Sequence, residues 1–160
     1  MPLQRILPFL AEIGIGVHER ALPATTFLPG ISILAGSLVI DRARLAYPGD
    51  LLHEAGHIAV VLPTQRPALS DNLESNPGDE MAAIAWSYAA ALHIGLDPAV
   101  VLHEHGYQGG GASILENFAA GRTFGVPLLQ WYGLTWERDD GSGRPVYPRM
   151  HGWLRPAPAD

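Results

Sequence analysis

At 160 residues with 48% hydrophobic content, the chain is long enough for one well-buried core and short for two, so a single domain over residues 1–160 is expected. Its formal charge is −6, and its ten basic residues, all arginines, are scattered from Arg5 to Arg155 with no run that tracks a phosphate backbone, so nucleic acid is not expected as a partner. The absence of cysteine excludes disulfides, thiolate metal sites and cysteine nucleophiles together, and leaves histidine and carboxylate as the strong metal ligands.

The N-terminal segment MPLQRILPFLAEIGIGV places Leu3, Ile6, Leu7 and Leu10 on one face of a predicted amphipathic helix. Pro8 and Glu12 interrupt its apolar character and no clear small-residue cleavage site follows, so it reads as mature sequence. No stretch approaches the roughly 18 apolar residues of a membrane span, and a soluble cytoplasmic protein with no membrane partner is expected. Residues 16–30 hold two prolines and two glycines without sustained periodicity and read as a connecting loop. Residues 31–47, rich in β-branched and apolar side chains, with Gly36 in the middle and Pro48-Gly49 closing them, predict a bent strand or a short hairpin.

Asp50 stands where an N-cap belongs, and the apolar run from Leu51 to Leu62 predicts a helix that Pro63 ends. Asn76 as cap, Pro77 at the first helical position and Asp79 three residues after the cap predict a second helix from about Pro77 to His93, stopped by Gly95. Asp97, Pro98 and Gly106 repeat the device and predict a short third helix. Ser113 and Glu116 form a capping-box pattern that opens a fourth, ending near Gly121, and a further turn or two is expected from Pro127 to Tyr132. In the tail, Asp140-Gly141-Ser142-Gly143 marks a turn between aromatic segments, so a hairpin or an irregular wrap is expected there. The total is a helix-rich α+β domain with a small sheet or hairpin.

The chemistry concentrates in DLLHEAGHIAVVLP, residues 50–63. On a helix, His53 and His57 lie about 40° apart around the axis, so both imidazoles project from one face close enough to hold a single ion. Glu54 lies about 60° from His57, on the flank of that face. Two nitrogen ligands at about 2.0–2.1 Å and a nearby carboxylate that takes a proton from zinc-bound water are what a zinc hydrolase requires. Neutral imidazole suits a borderline-soft cation, and glutamate has the reach and basicity to move the proton. The plainer alternative is a pair of partly buried histidines satisfied by hydrogen bonds.

A catalytic zinc takes a third protein ligand and keeps one open position. Asp71, Glu74, Asp79, Glu80, His93, His103, His105 and Glu116 are the downstream candidates. Glu80 is favoured, because it lies in the first turn of the second helix and is followed at helical spacing by Ala83, Ile84, Ser87 and Ala91, a mostly small face that lets two helices approach. Gly56 on the ligand-bearing face of the first helix fits the same close approach. Asp79 and Glu80 are also simply favourable at the positive end of a helix dipole. His103 and His105, two apart, cannot share a helix face, and histidine near a helix C-terminus is ordinarily a capping effect. His93, His105, Tyr88, Tyr107 and His151 are open as donors to a developing oxyanion. The chain has no G-x-S-x-G elbow, Walker loop or G-x-G-x-x-G fingerprint.

With His53-Glu54-Ala55-Gly56-His57 followed by Glu80, the chain resembles the zincin metallopeptidases, and within them the gluzincin branch, where a glutamate on a second helix is the third ligand. The likeness covers roughly residues 31–92. It implies a minimal zincin-like fold with zinc as cofactor, His53, His57 and Glu80 as ligands, Glu54 as general base, and a peptide or protein as substrate, cleaved at a peptide or amide bond. It further implies an edge strand beside the site that pairs with extended peptide, for which Gly36–Ile40 is the candidate. The alternative from another class is a non-catalytic zinc-binding or partner-binding protein, its fourth coordination position closed by a histidine such as His103 or His151.

Overall fold

Five α-helices and one three-stranded sheet are formed by the residues that the computed structural model describes, 1–71, 76–106 and 109–159. The expected single α+β domain is what they build. Helix α1 (Leu3–Ile13) buries Ile6, Phe9 and Leu10, and Gly14 ends it at a φ of 91°, where its N–H turns back to the carbonyls of Leu10 and Ala11. The segment expected as a loop contains a strand, β1 (Val17–Glu19), too short to leave a periodic signature.

Strands β2 (Ile31–Leu34) and β3 (Ser37–Ile40) form the expected hairpin, antiparallel, with Leu34 opposite Ser37. Its two-residue turn places Ala35 at φ 51° and Gly36 at φ 78°, a left-handed pair whose twist matches that of the flanking strands. The sheet order is β1-β3-β2, with β1 parallel to β3. Gly36–Ile40 is therefore not the edge strand expected beside the site. Leu38, Val39 and Ile40 are all buried, and since successive side chains point to opposite faces, this central strand is covered on both.

Helix α2 (Asp50–Val60) runs through the core, with Leu51, Leu52, Ala55, Ile58, Ala59 and Val60 buried. Its cap is Gly49 and makes no side-chain bond, so Asp50 is the first helical residue rather than the N-cap. The last carbonyls of α2 accept from two arginines: Arg66 Nε donates to Ile58 at 3.1 Å and Arg155 Nη1 to Val60 at 3.2 Å. Positive groups at that end complement the helix dipole.

Helix α3 (Pro77–His93) begins as expected, with Asn76 accepting from the Asp79 N–H at 2.8 Å and Pro77 in the first turn. It packs along α2, and Gly56 marks the crossing: a Cβ there would lie 2.8 Å from the Ala83 carbonyl oxygen and 3.1 Å from Ala83 Cα. Both helices carry small residues because the backbones nearly touch.

Asp97 caps only a 3-10 turn, Pro98–Val100, and not the expected third helix. Val101 and Leu102, both buried, follow the turn, and the chain does not continue there as a helix. Helix α4 (Gly111–Ala119) starts two residues before Ser113 and has no side-chain cap, so the capping box is not made. Helix α5 (Val126–Trp131) lies within a residue of its expected place. The tail is an irregular wrap. It makes one parallel bridge, Trp136 to Val146, among the described residues, and is held by Trp86 Nε1 donating to the Trp153 carbonyl at 2.9 Å and by the Arg155 N–H on the Ala59 carbonyl at 2.8 Å. No helix among the described residues is long and apolar enough to cross a membrane.

Candidate metal centre

Where α2 and α3 cross, three donor groups converge. His53 and His57, one turn apart on α2, bring their Nε2 atoms to 3.3 Å, and Glu80 in the first turn of α3 reaches both. One carboxylate oxygen stands 3.1 Å from His53 Nε2 and the other 2.8 Å from His57 Nε2. The histidine side chains are 11% and 13% exposed, whereas that of Glu80 is 39% exposed, so the group opens towards solvent on the α3 side. The Gly56–Ala83 contact is what sets this reach, because a wider crossing would draw the carboxylate away from both rings.

The electrostatics follow from that convergence. Burial alone would raise the pKa of Glu80, but hydrogen bonds and charge from His53 and His57 outweigh it and hold the carboxyl well below the usual range. Burial would lower His57, yet the bond to Glu80 and the negative charges of Glu54, Glu80 and Asp79 prevail and raise it. Glu54 is half-buried and is raised above the ordinary carboxylate value of 4.5, first by loss of solvent, with Asp71 and Glu80 adding to the shift and the two histidines opposing it.

His53, His57 and Glu80 each offer one ligand atom, all within 4.8 Å of one another. Donors around a tetrahedral zinc at about 2.0–2.1 Å stand about 3.3–3.4 Å apart, a spacing that the two Nε2 atoms already have at 3.3 Å. Two imidazole nitrogens and a carboxylate oxygen are ligand types that zinc accepts, and the Glu80 oxygens, at 3.1 and 2.8 Å from the rings, lie at hydrogen-bond distance from them. No protein-family model, curated protein or solved structure matches this chain. What the structure offers is a group of three side chains that could hold a metal ion.

The remaining residues singled out by sequence go elsewhere. Asp71 binds β2: its carboxylate accepts from the Ile33 N–H at 2.9 Å and from the Ser32 hydroxyl, and its own N–H meets the Ile33 carbonyl at 3.3 Å. Asp79 caps with Asn76 and lies 3.5 Å from the Tyr132 hydroxyl. His103 binds Asp50 at 2.7 Å, and His105 stacks on Tyr47 at 5.3 Å. His93 is at the far end of α3, about 20 Å along the axis from Glu80, packed on Phe9 and Trp153. Tyr88 packs on Phe118 and Tyr147, and His151 lies against Trp136 in the tail. Glu116 is exposed on α4, and Glu74 and Tyr107 lie outside the described residues.

Two contacts had no local signature in the sequence. Asp50 with His103, and Asp79 with Tyr132, each join groups 53 positions apart. Asp50 read naturally as a cap and Tyr132 as the end of a short helix, since nothing near them in the chain shows what they meet in space.

Proposed function

We propose that the chain is a zinc-dependent hydrolase of peptide or amide bonds, with His53, His57 and Glu80 holding the metal and Glu54 as general base. The observation that carries this reading is the convergence of three donors within 4.8 Å, flanked by a carboxylate of raised pKa. Zinc, when bound, lowers the pKa of water towards neutrality and polarises a carbonyl oxygen. Glu80 supplies the negative charge that offsets a dication in a half-buried site, and the histidines keep their neutral form towards it. Glu54, projecting from the flank of α2, accepts a proton from the attacking water and passes it to the leaving amine. Its raised pKa makes it a better base than a solvated carboxylate and a competent acid for the return step. Among the described residues the donor set has three members, which leaves room for substrate or water at a fourth position.

The second reading, a zinc site that binds without hydrolysing, is favoured by a particular feature of the sheet. Strand β2 is an edge strand, but Asp71 takes both the N–H and the carbonyl of Ile33, groups that an extended peptide would use. One experiment separates the two. The protein is screened against mixed peptides with and without chelator, and Glu54→Gln is then compared with wild type. A hydrolase loses about 10²- to 10⁴-fold of its rate in this variant while keeping its zinc. Absence of chelator-sensitive cleavage, with a melting temperature that zinc raises strongly, favours the binding reading. Cleavage that survives unchanged in Glu54→Gln removes the assigned mechanism.

A further inference from the structure

Helix α3 also borders a cavity that the hydrolase reading does not use. Tyr88 follows Glu80 by eight residues, about 12 Å along the helix and about 80° around it, so it stands on another side of α3. There the middle of α3, the last turn of α4, the segment between α4 and α5 and the tail surround a space of about 310 Å³. Its lining includes Tyr88, Phe118, Tyr147, Thr123 and Glu137.

Three of those residues are aromatic, and their rings do not collapse into one stack. Tyr88 and Tyr147 are 23° from parallel with centroids 6.4 Å apart. Phe118 stands steeply to both, at 57° and 5.0 Å from Tyr88 and at 72° and 6.4 Å from Tyr147. Two of these walls are fixed from behind. Phe118 is buried against Phe124, with centroids 4.9 Å apart, and the Tyr147 hydroxyl donates to the Ala85 carbonyl at 2.7 Å.

The charge at the cavity has one sign. Among the described lining residues, Glu137 is the one that is charged at neutral pH. Its N–H is taken by Gln130 Oε1 at 2.8 Å, and its exposed carboxylate joins no ion pair among the described residues. Aromatic faces are themselves electron-rich, so rings and carboxylate favour the same ligand charge. An anion is disfavoured by both, and a neutral apolar ligand gains nothing from the carboxylate. A primary ammonium is compact and strongly hydrated, whereas methyl groups on the nitrogen give a cation an apolar surface that packs on rings. The volume lies at the small end of ligand pockets, which suits such a group.

We propose that this cavity binds a methylated alkylammonium group against Tyr88, Phe118 and Tyr147, with Glu137 as its counter-charge. The site is separate from His53, His57 and Glu80 and does not depend on zinc being held there.

Choline is the probe, titrated into the full chain and followed by the backbone amide resonances of Thr123 and Glu137. The comparison ligand is 3,3-dimethyl-1-butanol, which has the same shape without the charge. Wild type should saturate with choline at millimolar concentration and bind the alcohol about 10-fold more weakly. Glu137→Gln should weaken choline about 10-fold and leave the alcohol unchanged, while Glu12→Gln, which removes an equal charge from α1, should alter neither. Tyr88→Leu should weaken choline, and Tyr88→Phe, which keeps the ring face, should stay within about 2-fold of wild type. If Tyr88→Leu does not fold, Glu137→Gln decides, since that side chain is exposed. Choline shifts that do not saturate, equal affinities for choline and the alcohol, or wild-type affinity in Glu137→Gln would each overturn the proposal. Choline binding that disappears on adding a metal chelator would place it at the metal centre and overturn it as well.

Discussion

The two histidine pairs of this chain differ in spacing by two residues and in outcome almost completely. His53 and His57 sit on a regular helix, share a face, and converge with Glu80 into one donor set. His103 and His105 follow a 3-10 turn on irregular chain, and they part: His103 turns inward to Asp50, while His105 is 57% exposed beside Glu104. A helix converts sequence spacing into shared direction, which irregular backbone does not. A histidine pair is therefore evidence for a metal only with the element that carries it and the group that faces it.

That contrast can be broken by removing one member of each pair. His57→Ala should lower zinc affinity by on the order of 10³-fold, about 4 kcal/mol, whereas His105→Ala should leave it unchanged. Chelator competition measures both, and equal effects would erase the distinction. Next in size is the crossing that brings Glu80 to the histidines. Gly56→Ala forces a methyl against the Ala83 backbone, which cannot move as a side chain can. The cost should be about 1–3 kcal/mol, read as a lower melting temperature of the metal-free protein. Zinc affinity should fall with it, and a melting temperature at or above wild type would show that the helices have room to spare.

The protonation of the first pair offers a subtler test. The raised His57 contributes stability that is fully present below the ordinary histidine value of 6.5 and is lost as pH rises through its folded pKa. The depressed Glu80 contributes stability present above the ordinary carboxylate value of 4.5 and lost as pH falls through its folded pKa. The metal-free melting temperature should therefore exceed that of His57→Ala most between pH 4.5 and 6.5. A gap that widens steadily towards pH 9 contradicts the assignment. In the opposite sense, zinc displaces the proton from His57, so zinc affinity should climb as pH rises through that pKa. The smallest effect belongs to the exposed partner: His105→Ala should change stability by no more than about 0.5 kcal/mol, within the range of ordinary surface substitutions.

The parts of the molecule legible in the sequence are those where local rules agree with global packing. Helix α3 shows its cap, its first-turn proline and its small-residue face in order, and its bounds match. The His53, His57 and Glu80 set was legible because helical period and capping place all three. The strand order was not, since β1 spans Val17–Glu19 alone and its parallel pairing with β3 is a tertiary contact between segments about twenty residues apart. Asp97 carried a true cap signal, accepting from the Ala99 N–H, but a cap marks where a turn starts and not how far it runs. Asp50 sat at the right end of the right helix, but its partner was set by tertiary contact.

The central claim is that α2 and α3 build a zinc site from His53, His57 and Glu80. Titrating the metal-free chain with zinc, followed by dialysis and elemental analysis, tests it most directly. The account predicts about one zinc retained per chain, as expected for two imidazoles and a carboxylate, and a marked loss of that zinc in Glu80→Ala but not in Asp71→Ala. A wild-type chain that retains no transition metal, or an Asp71→Ala variant as impaired as Glu80→Ala, would contradict it.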